Sequence, residues 1–395
     1  MEQDSVVSLK MDYTLLFTIF LLATISIIML FSIQPSLPTK LQAISFVHKQ
    51  IFWYSVGILA GIICFLIDYD RFQLIGMYLY AIGLILLVGL ELPFPSIVQT
   101  LNGATSWYRI PGIGNIQPSE LMKVAFIIAC SLTLARSKKR RLEEELEGEA
   151  LLKSEWILLG QLALLFLLPT LLLIRQPDLG MTMVYGAIFI TYLLISEVRW
   201  SILLSIFSIF LLGFASLVFT YIRFPVFFDT YIIHEYQLGR VLGWLDPYRH
   251  QDAYGYQLVQ SLKAIGTGTL YGTGLGHVEV YLPEAHTDFI FSMIAEQFGF
   301  IGASVVIALF FLLIFRIVSI ALQCHDYFGS YICAGIVGMI SFQVFQNIGM
   351  TIGLLPITGL PLPFVSYGGS SLVSYMICIG LVLNVFARTK NYMFE

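Results

Sequence analysis

Trp156-Ile-Leu-Leu-Gly-Gln-Leu-Ala-Leu-Leu-Phe-Leu-Leu-Pro-Thr-Leu-Leu-Leu-Ile-Arg175-Gln-Pro-Asp178 decides the fold. The run is apolar as far as Ile174, and a second apolar run follows over 179–196. One helix across both would be about 40 residues long, twice what a hydrocarbon core of roughly 30 Å requires, and Pro177 would interrupt it. The stretch therefore reads as two crossings joined by a short polar turn. Similar spans lie near 12–33, 51–68, 72–92, 119–135, 200–222, 288–315, 329–353 and 370–387. The expected fold is an all-α polytopic membrane protein. It has about ten transmembrane helices in one domain over 1–395, both termini cytoplasmic, and a long extracytoplasmic loop over 223–287 between spans seven and eight.

Composition agrees. Of 395 residues, 58% are apolar and 12% are charged, against about 25% charged in soluble domains. So few charges cannot cover a soluble surface of this size, which excludes a soluble enzyme, a coiled coil and a disordered chain. The apolar runs are continuous, not alternating, which argues against an outward-facing β-barrel. The net charge of −4 gives no global signal for nucleic acid. The first span follows a polar tail with no small-residue cleavage site and reads as a retained helix. With both ends inside, 12 Lys and Arg fall on the cytoplasmic side and 8 outside, four of the latter in the long loop, which counts weakly. Ser137-Lys-Lys-Arg-Arg141 is the strongest inside marker. Its plain reading is a solvated helical link, and its rival is a contact with a cytoplasmic partner or anionic lipid. Five cysteines, none in an outer loop and none in a CxxC pair, predict neither disulfide nor zinc site.

Three outer segments hold the chemistry. The first is Leu101-Asn-Gly-Ala-Thr-Ser-Trp107-Tyr-Arg109-Ile, leading to Gln117-Pro-Ser-Glu120-Leu-Met-Lys123. Pro118 suits the first turn of a helix, which places Glu120 and Lys123 on one face. They form either an internal salt bridge or a pair lining a cleft. The second is Pro283-Glu-Ala-His-Thr-Asp288-Phe. Asp288 is either an N-cap or a catalytic carboxylate at the membrane face, with Thr287 as the cap in the latter case. Glu296, two turns on, is expected to meet Gln343, Gln346 or Asn347. Arg240, Arg249 and Lys263 in the long loop are candidates for an anionic headgroup, and Gly272, Gly274 and Gly276 for tight turns or close backbone approach. The third is Leu355-Pro-Ile-Thr-Gly-Leu-Pro-Leu-Pro-Phe-Val-Ser366-Tyr-Gly-Gly-Ser370-Ser371. It is too irregular for a lipid-exposed helix and must line protein or a cavity. Ser366 and Ser370 offer hydroxyls, but no His-Asp relay accompanies them as nucleophiles.

Taken in order, Gln117-Pro-Ser-Glu120, Gln176-Pro-Asp-Leu-Gly180, the run ending in Asp288 and Pro361-Leu-Pro-Phe-Val-Ser-Tyr-Gly-Gly-Ser-Ser371 resemble the shape, elongation, division and sporulation (SEDS) family over nearly the whole chain. The short polar termini resemble its elongation members. The resemblance implies a peptidoglycan glycosyltransferase of the bacterial cytoplasmic membrane, facing outward, that joins lipid II units into glycan strands. It implies a class B penicillin-binding protein as transpeptidase partner within the rod elongation complex. Asp288 matches the family's essential carboxylate, Trp107 its loop tryptophan, and Glu120 and Lys123 its helix pair. Ser106 stands where many members carry Arg, with Arg109 two residues beyond Trp107. Asp288 is then the general base, and Arg109, Lys123 and Arg240 are candidates for the diphosphate. A divalent cation, Mg or Mn, is compatible with that chemistry, although no dedicated ligand cluster stands in the sequence. Phe291, Phe298, Phe310 and Phe311 are candidates for packing on the partner or within the bundle. A lipid II flippase or transporter and a non-enzymatic scaffold are the rival readings; a transporter would place its polar residues nearer the midplane and show repeated halves.

Overall fold

The computed structural model describes residues 11–92, 98–101, 104–111, 114–224 and 235–389. Lys10 and Lys390, counted above as topology markers, lie outside the described residues, as do Asn102, Gly103 and 225–234 of the long loop.

Among the described residues, nine helices are long and apolar enough to cross a membrane, and the shorter apolar helix Leu179–Ile195 makes a tenth. The chain is a helical, multi-pass membrane protein. In order it forms α1 (Tyr13–Ile33), the single turn α2 (Thr39–Gln42), α3 (Phe46–Leu66), α4 (Tyr69–Gly89), β1 (Val98–Leu101), β2 (Ala104–Ile110), β3 (Gly114–Ile116), α5 (Pro118–Glu143), α6 (Gly148–Arg175), α7 (Leu179–Ile195), α8 (Trp200–Arg223), α9 (Glu235–Leu245), α10 (Tyr256–Gly268), α11 (Ile290–Gln323), α12 (Tyr327–Thr351) and α13 (Gly369–Thr389). The β strands form a small antiparallel sheet in the order β1-β2-β3, which hydropathy did not announce. The turn between α6 and α7 falls where Arg175 to Asp178 predicted it, and the Asp178 carboxylate caps α7 by accepting from the Met181 N–H at 3.0 Å.

Helices α5 and α13 form the centre, each 83% buried over its most apolar stretch, whereas α8 is 6% buried. Glycines set the closest crossing. A Cβ at Gly57 would meet Met376 of α13 at 2.9 Å, and one at Gly61 would meet the Met376 carbonyl at 2.8 Å. Of the phenylalanines considered for a partner, Phe291 and Phe310 are buried in the bundle, whereas Phe298 and Phe311 are 38% and 72% exposed.

Helix α11 breaks at Gly299, whose φ is +64°. The loop after α10 enters the break. Thr273 and Gly274 donate backbone N–H groups to the carbonyls of Glu296 and Gln297, at 2.9 and 3.1 Å, while Phe300 and Ile301 donate to Thr269 and Leu270 at 3.0 and 3.3 Å. The break therefore strands no backbone polar group among these residues, a requirement inside a bilayer. Gly272, Gly274 and Gly276 all have positive φ, from +82° to +99°, which explains their clustering as turn residues. Glu296 is not paired with Gln343, Gln346 or Asn347 as expected. Its Oε1 accepts from the Glu279 and Val280 N–H groups, both at 2.9 Å, because the inserted loop reaches it first.

Candidate active site

The irregular segment between α12 and α13 is built through its carbonyls. Prolines and turns remove its own backbone partners, and side chains replace them. Gln346 donates to Pro356 at 2.9 Å, Arg240 to Ile357 at 3.3 Å and Asn347 to Leu360 at 2.7 Å. Tyr54 donates to Phe364, Ser26 to Val365 at 2.7 Å and Gln50 to Ser366 at 3.2 Å. Three helices (α1, α3 and α12) and α9 thus hold one stretch of chain.

That stretch in turn fixes Asp288. Three consecutive carbonyls are bound: His286 accepts from the Tyr367 N–H at 2.9 Å, Thr287 from Ser366 Oγ at 2.5 Å and Asp288 from Asn347 Nδ2 at 2.8 Å. The backbone is immobilised while the carboxylate stays half-buried. Its Oδ2 lies 3.4 Å from where a Cβ would stand on Gly359, which has φ +73°. Burial pushes the Asp288 carboxyl up to about 7, Glu284 adds to the rise, and Arg240 opposes it. Neither Asp288 nor Thr287 caps α11. Its N-cap is Phe289, with no side-chain bond, and Thr287 Oγ1 turns back to Glu284 Oε2 at 2.9 Å. The N-cap reading is corrected because the helix starts one residue later than either side chain can serve.

A second carboxylate shares the same arginine. Burial raises Asp178 to about 6, offset by the Met181 N–H, raised again by Glu120, and lowered by Gln117 and Arg240. Gln117 Nε2 donates to Asp178 Oδ2 at 2.9 Å, and the Gln117 N–H donates to Ser370 Oγ at 2.9 Å. Asp178 and Gln117 lay within motifs quoted from the sequence but were not singled out as site residues. Their only sequence signal was a carboxylate and an amide at span boundaries.

The other expected residues separate into two groups. Glu120 and Lys123 form the internal salt bridge, with Lys123 fully buried. Ser374 Oγ donates to Glu120 Oε2 at 3.2 Å, and Lys123 Nζ lies 4.3 Å from the centre of the Tyr375 ring. Their ordered partners are one another and α13. Ser366 also faces inward, its Oγ accepting from the Leu362 N–H at 2.8 Å while donating to Thr287, whereas half-buried Ser370 stays beside Gln117. Trp107 and Arg109 sit on one face of β2, half-buried and exposed respectively. Tyr108, between them, donates to the Leu86 carbonyl at 2.9 Å and docks the sheet on α4. Among the described residues, no hydrogen bond or ion pair joins Trp107 or Arg109 to Asp288. His286 packs its ring 4.5 Å from that of Phe46, and among the described residues no hydrogen bond or ion pair joins it to Asp288. No group of three His, Cys, Asp or Glu side chains suited to a metal ion occurs among the described residues. Arg240 is a cation whose charge bears on Asp288, and it is held on the Ile357 carbonyl.

The FtsW/RodA/SpoVE cell cycle protein family matches residues 13–391. The chain belongs to that family. Among its curated relatives, a probable peptidoglycan glycosyltransferase FtsW of Trichlorobacter lovleyi is 33% identical over 385 residues, covering 96% of this chain and 94% of that one. Stage V sporulation protein E of Bacillus subtilis is 33% identical over 386 residues, covering 96% and 98%. A chain solved within a peptidoglycan synthase complex that coordinates polymerization and crosslinking superposes with a TM-score of 0.75 at 28% identity, covering 96% of this chain and 99% of that one. The crystal structure of Thermus thermophilus RodA gives a TM-score of 0.65 at 25% identity, covering 96% and 97%. Relatives with FtsW, sporulation and rod-shape names therefore match this chain over nearly its full length.

Proposed function

We propose that the chain is a peptidoglycan glycosyltransferase that polymerises lipid II at the extracytoplasmic face of the bacterial cytoplasmic membrane. The observation that carries this reading is a carboxylate, Asp288, whose backbone is bound at three consecutive carbonyls and whose side chain stands beside Arg240. Transfer between two lipid-linked sugars needs a base, charge stabilisation for the departing diphosphate, and fixed geometry. Asp288 takes the proton of the acceptor's 4-hydroxyl. The 4-oxygen attacks the anomeric carbon of the donor, and the bond to undecaprenyl diphosphate breaks with inversion. Arg240 balances the charge that develops on the diphosphate. A carboxyl at about 7 suits a base working near neutral pH.

The outward orientation is supported by α5. It begins beside Asp178 and Ser370 and ends in the basic run through Arg140 and Arg141, which favours the cytoplasm. A class B penicillin-binding protein is the proposed partner, supported by the likeness to the synthase-complex chain. Elongation, expected from the sequence resemblance, competes with the division and sporulation names of the relatives. Depletion separates these roles: rounded cells indicate elongation, and filaments indicate division.

The test is glycan-strand formation from purified lipid II in detergent. Wild type and Asp288→Asn are compared, each with a class B partner whose transpeptidase serine is disabled. Polymer from wild type alone is expected. Equal polymer from Asp288→Asn overturns the base assignment, and vesicle flipping without polymer from either chain favours the transporter reading.

A further inference from the structure

Helix α9 lies against the irregular segment through two donors one turn apart. Trp244 Nε1 donates to the Gly353 carbonyl at 2.9 Å, and Arg240 Nη1 to the Ile357 carbonyl at 3.3 Å. Residues 240 and 244 are i,i+4 neighbours on one helical face, and their acceptors are also four residues apart. The adjoining face of α9 is made of glycine. A Cβ at Gly239 would meet the Tyr254 ring at 2.6 Å, and one at Gly243 would meet the Tyr254 backbone at 2.7 Å. Tyr254 thus presses α9 from one side, while Trp244 and Arg240 fasten the other. The two fastenings differ in kind. An indole N–H on a rigid ring at 2.9 Å is directional, whereas a guanidinium on a flexible stem at 3.3 Å sits at the long end of hydrogen bonding.

We propose that Trp244 is a positioning residue for glycosyl transfer: its bond to Gly353 holds α9 so that the Arg240 guanidinium stands by the Asp288 carboxylate. This rests on the reading of Asp288 as the base. Arg240 then keeps two carboxylates in balance, Asp288 before α11 and Asp178 before α7. The groups bearing on Asp288 are Glu284 on its own loop and Arg240 from α9. Glu120 of α5 bears on Asp178, and His286 is turned toward Phe46. Loosening Arg240 weakens the cation that opposes the rise at Asp288. The base then needs a higher pH to ionise.

The experiment is lipid II polymerisation against pH by the full chain with its class B partner. Wild type, Trp244→Phe, Trp244→His, Arg240→Lys, the Trp244→Phe/Arg240→Lys pair and Asp288→Asn are compared. Trp244→Phe keeps an aromatic ring and loses the N–H. It is expected to lower kcat roughly five- to tenfold, the worth of one net hydrogen bond, and to move the acid limb to higher pH. Trp244→His, which keeps a ring N–H, should restore the limb. The double variant should fall no further than Arg240→Lys alone. An unmoved limb in Trp244→Phe overturns the proposal, as does an additive double variant. Should Trp244→Phe fail to fold, Trp244→Leu, which also lacks the N–H, is read in its place: a limb displaced to higher pH supports the proposal and an unmoved one overturns it. Activity in Asp288→Asn would defeat the functional reading itself, whatever Trp244 does.

Discussion

The side-chain amide of Asn347 donates to the backbone carbonyl of Asp288 at 2.8 Å. The same nitrogen donates to Leu360 at 2.7 Å. One amide near the C-terminal end of a membrane helix therefore couples the loop bearing the carboxylate to the segment that walls it. Asn347→Ala strands two buried carbonyls, each costing about 1–3 kcal/mol. The expected result is a lower unfolding temperature in detergent and a polymerisation rate at least tenfold down, measured on the same preparation.

Asp288 links activity and stability to pH in opposite senses. As a base it must be ionised, so polymerisation should climb as pH rises through about 7. Stability runs the other way. The folded carboxyl holds its proton up to about 7 against an ordinary 3.8. Its contribution is therefore complete below 3.8 and lost as pH rises through about 7. Asp288→Asn removes the titration. It should unfold at a higher temperature than wild type at pH 8, with the gap narrowing toward pH 5. Parallel melting curves across that range would contradict the burial argument.

The Glu120–Lys123 pair is enclosed between α5 and α13. Lys123→Met leaves a buried carboxylate without its cation and should cost about 3–5 kcal/mol. Adding Glu120→Gln removes the stranded charge, so the double variant should regain most of the unfolding temperature. A double variant as unstable as Lys123→Met would show that the lysine does more than neutralise Glu120.

Glu296 holds the inserted loop with one oxygen that accepts two N–H groups. Glu296→Gln keeps an acceptor there and should be tolerated. Glu296→Ala should release the stretch around Glu279 and Val280 and hasten its proteolysis severalfold, with the cleavage site read by mass spectrometry. Equal cleavage in both variants would place the anchor in the Gly299 backbone ladder instead.

Sequence alone determined the crossings. Hydrophobic length is a local property, so the two helices parted at Arg175 to Asp178, and the ten spans, could be read one by one. Pro118 at the head of α5 and the glycine turns at 272–276 were equally local, since φ preference belongs to the residue itself. Asp288 stood out because a carboxylate beside a long apolar run is expensive. Tertiary structure decided what each polar group meets. Ser26 bonds Val365 across 339 residues, and Gln117 bonds Asp178 across 61. No periodicity encodes such pairings. The same distance from local pattern explains why Glu296 was assigned to the wrong partners, why Ser366 turned inward, and why Arg240 could be distinguished from Arg249 and Lys263 only once α9 was packed. In a bilayer buried backbone donors and acceptors must be satisfied within the protein, and which side chain meets which carbonyl is fixed by helix packing.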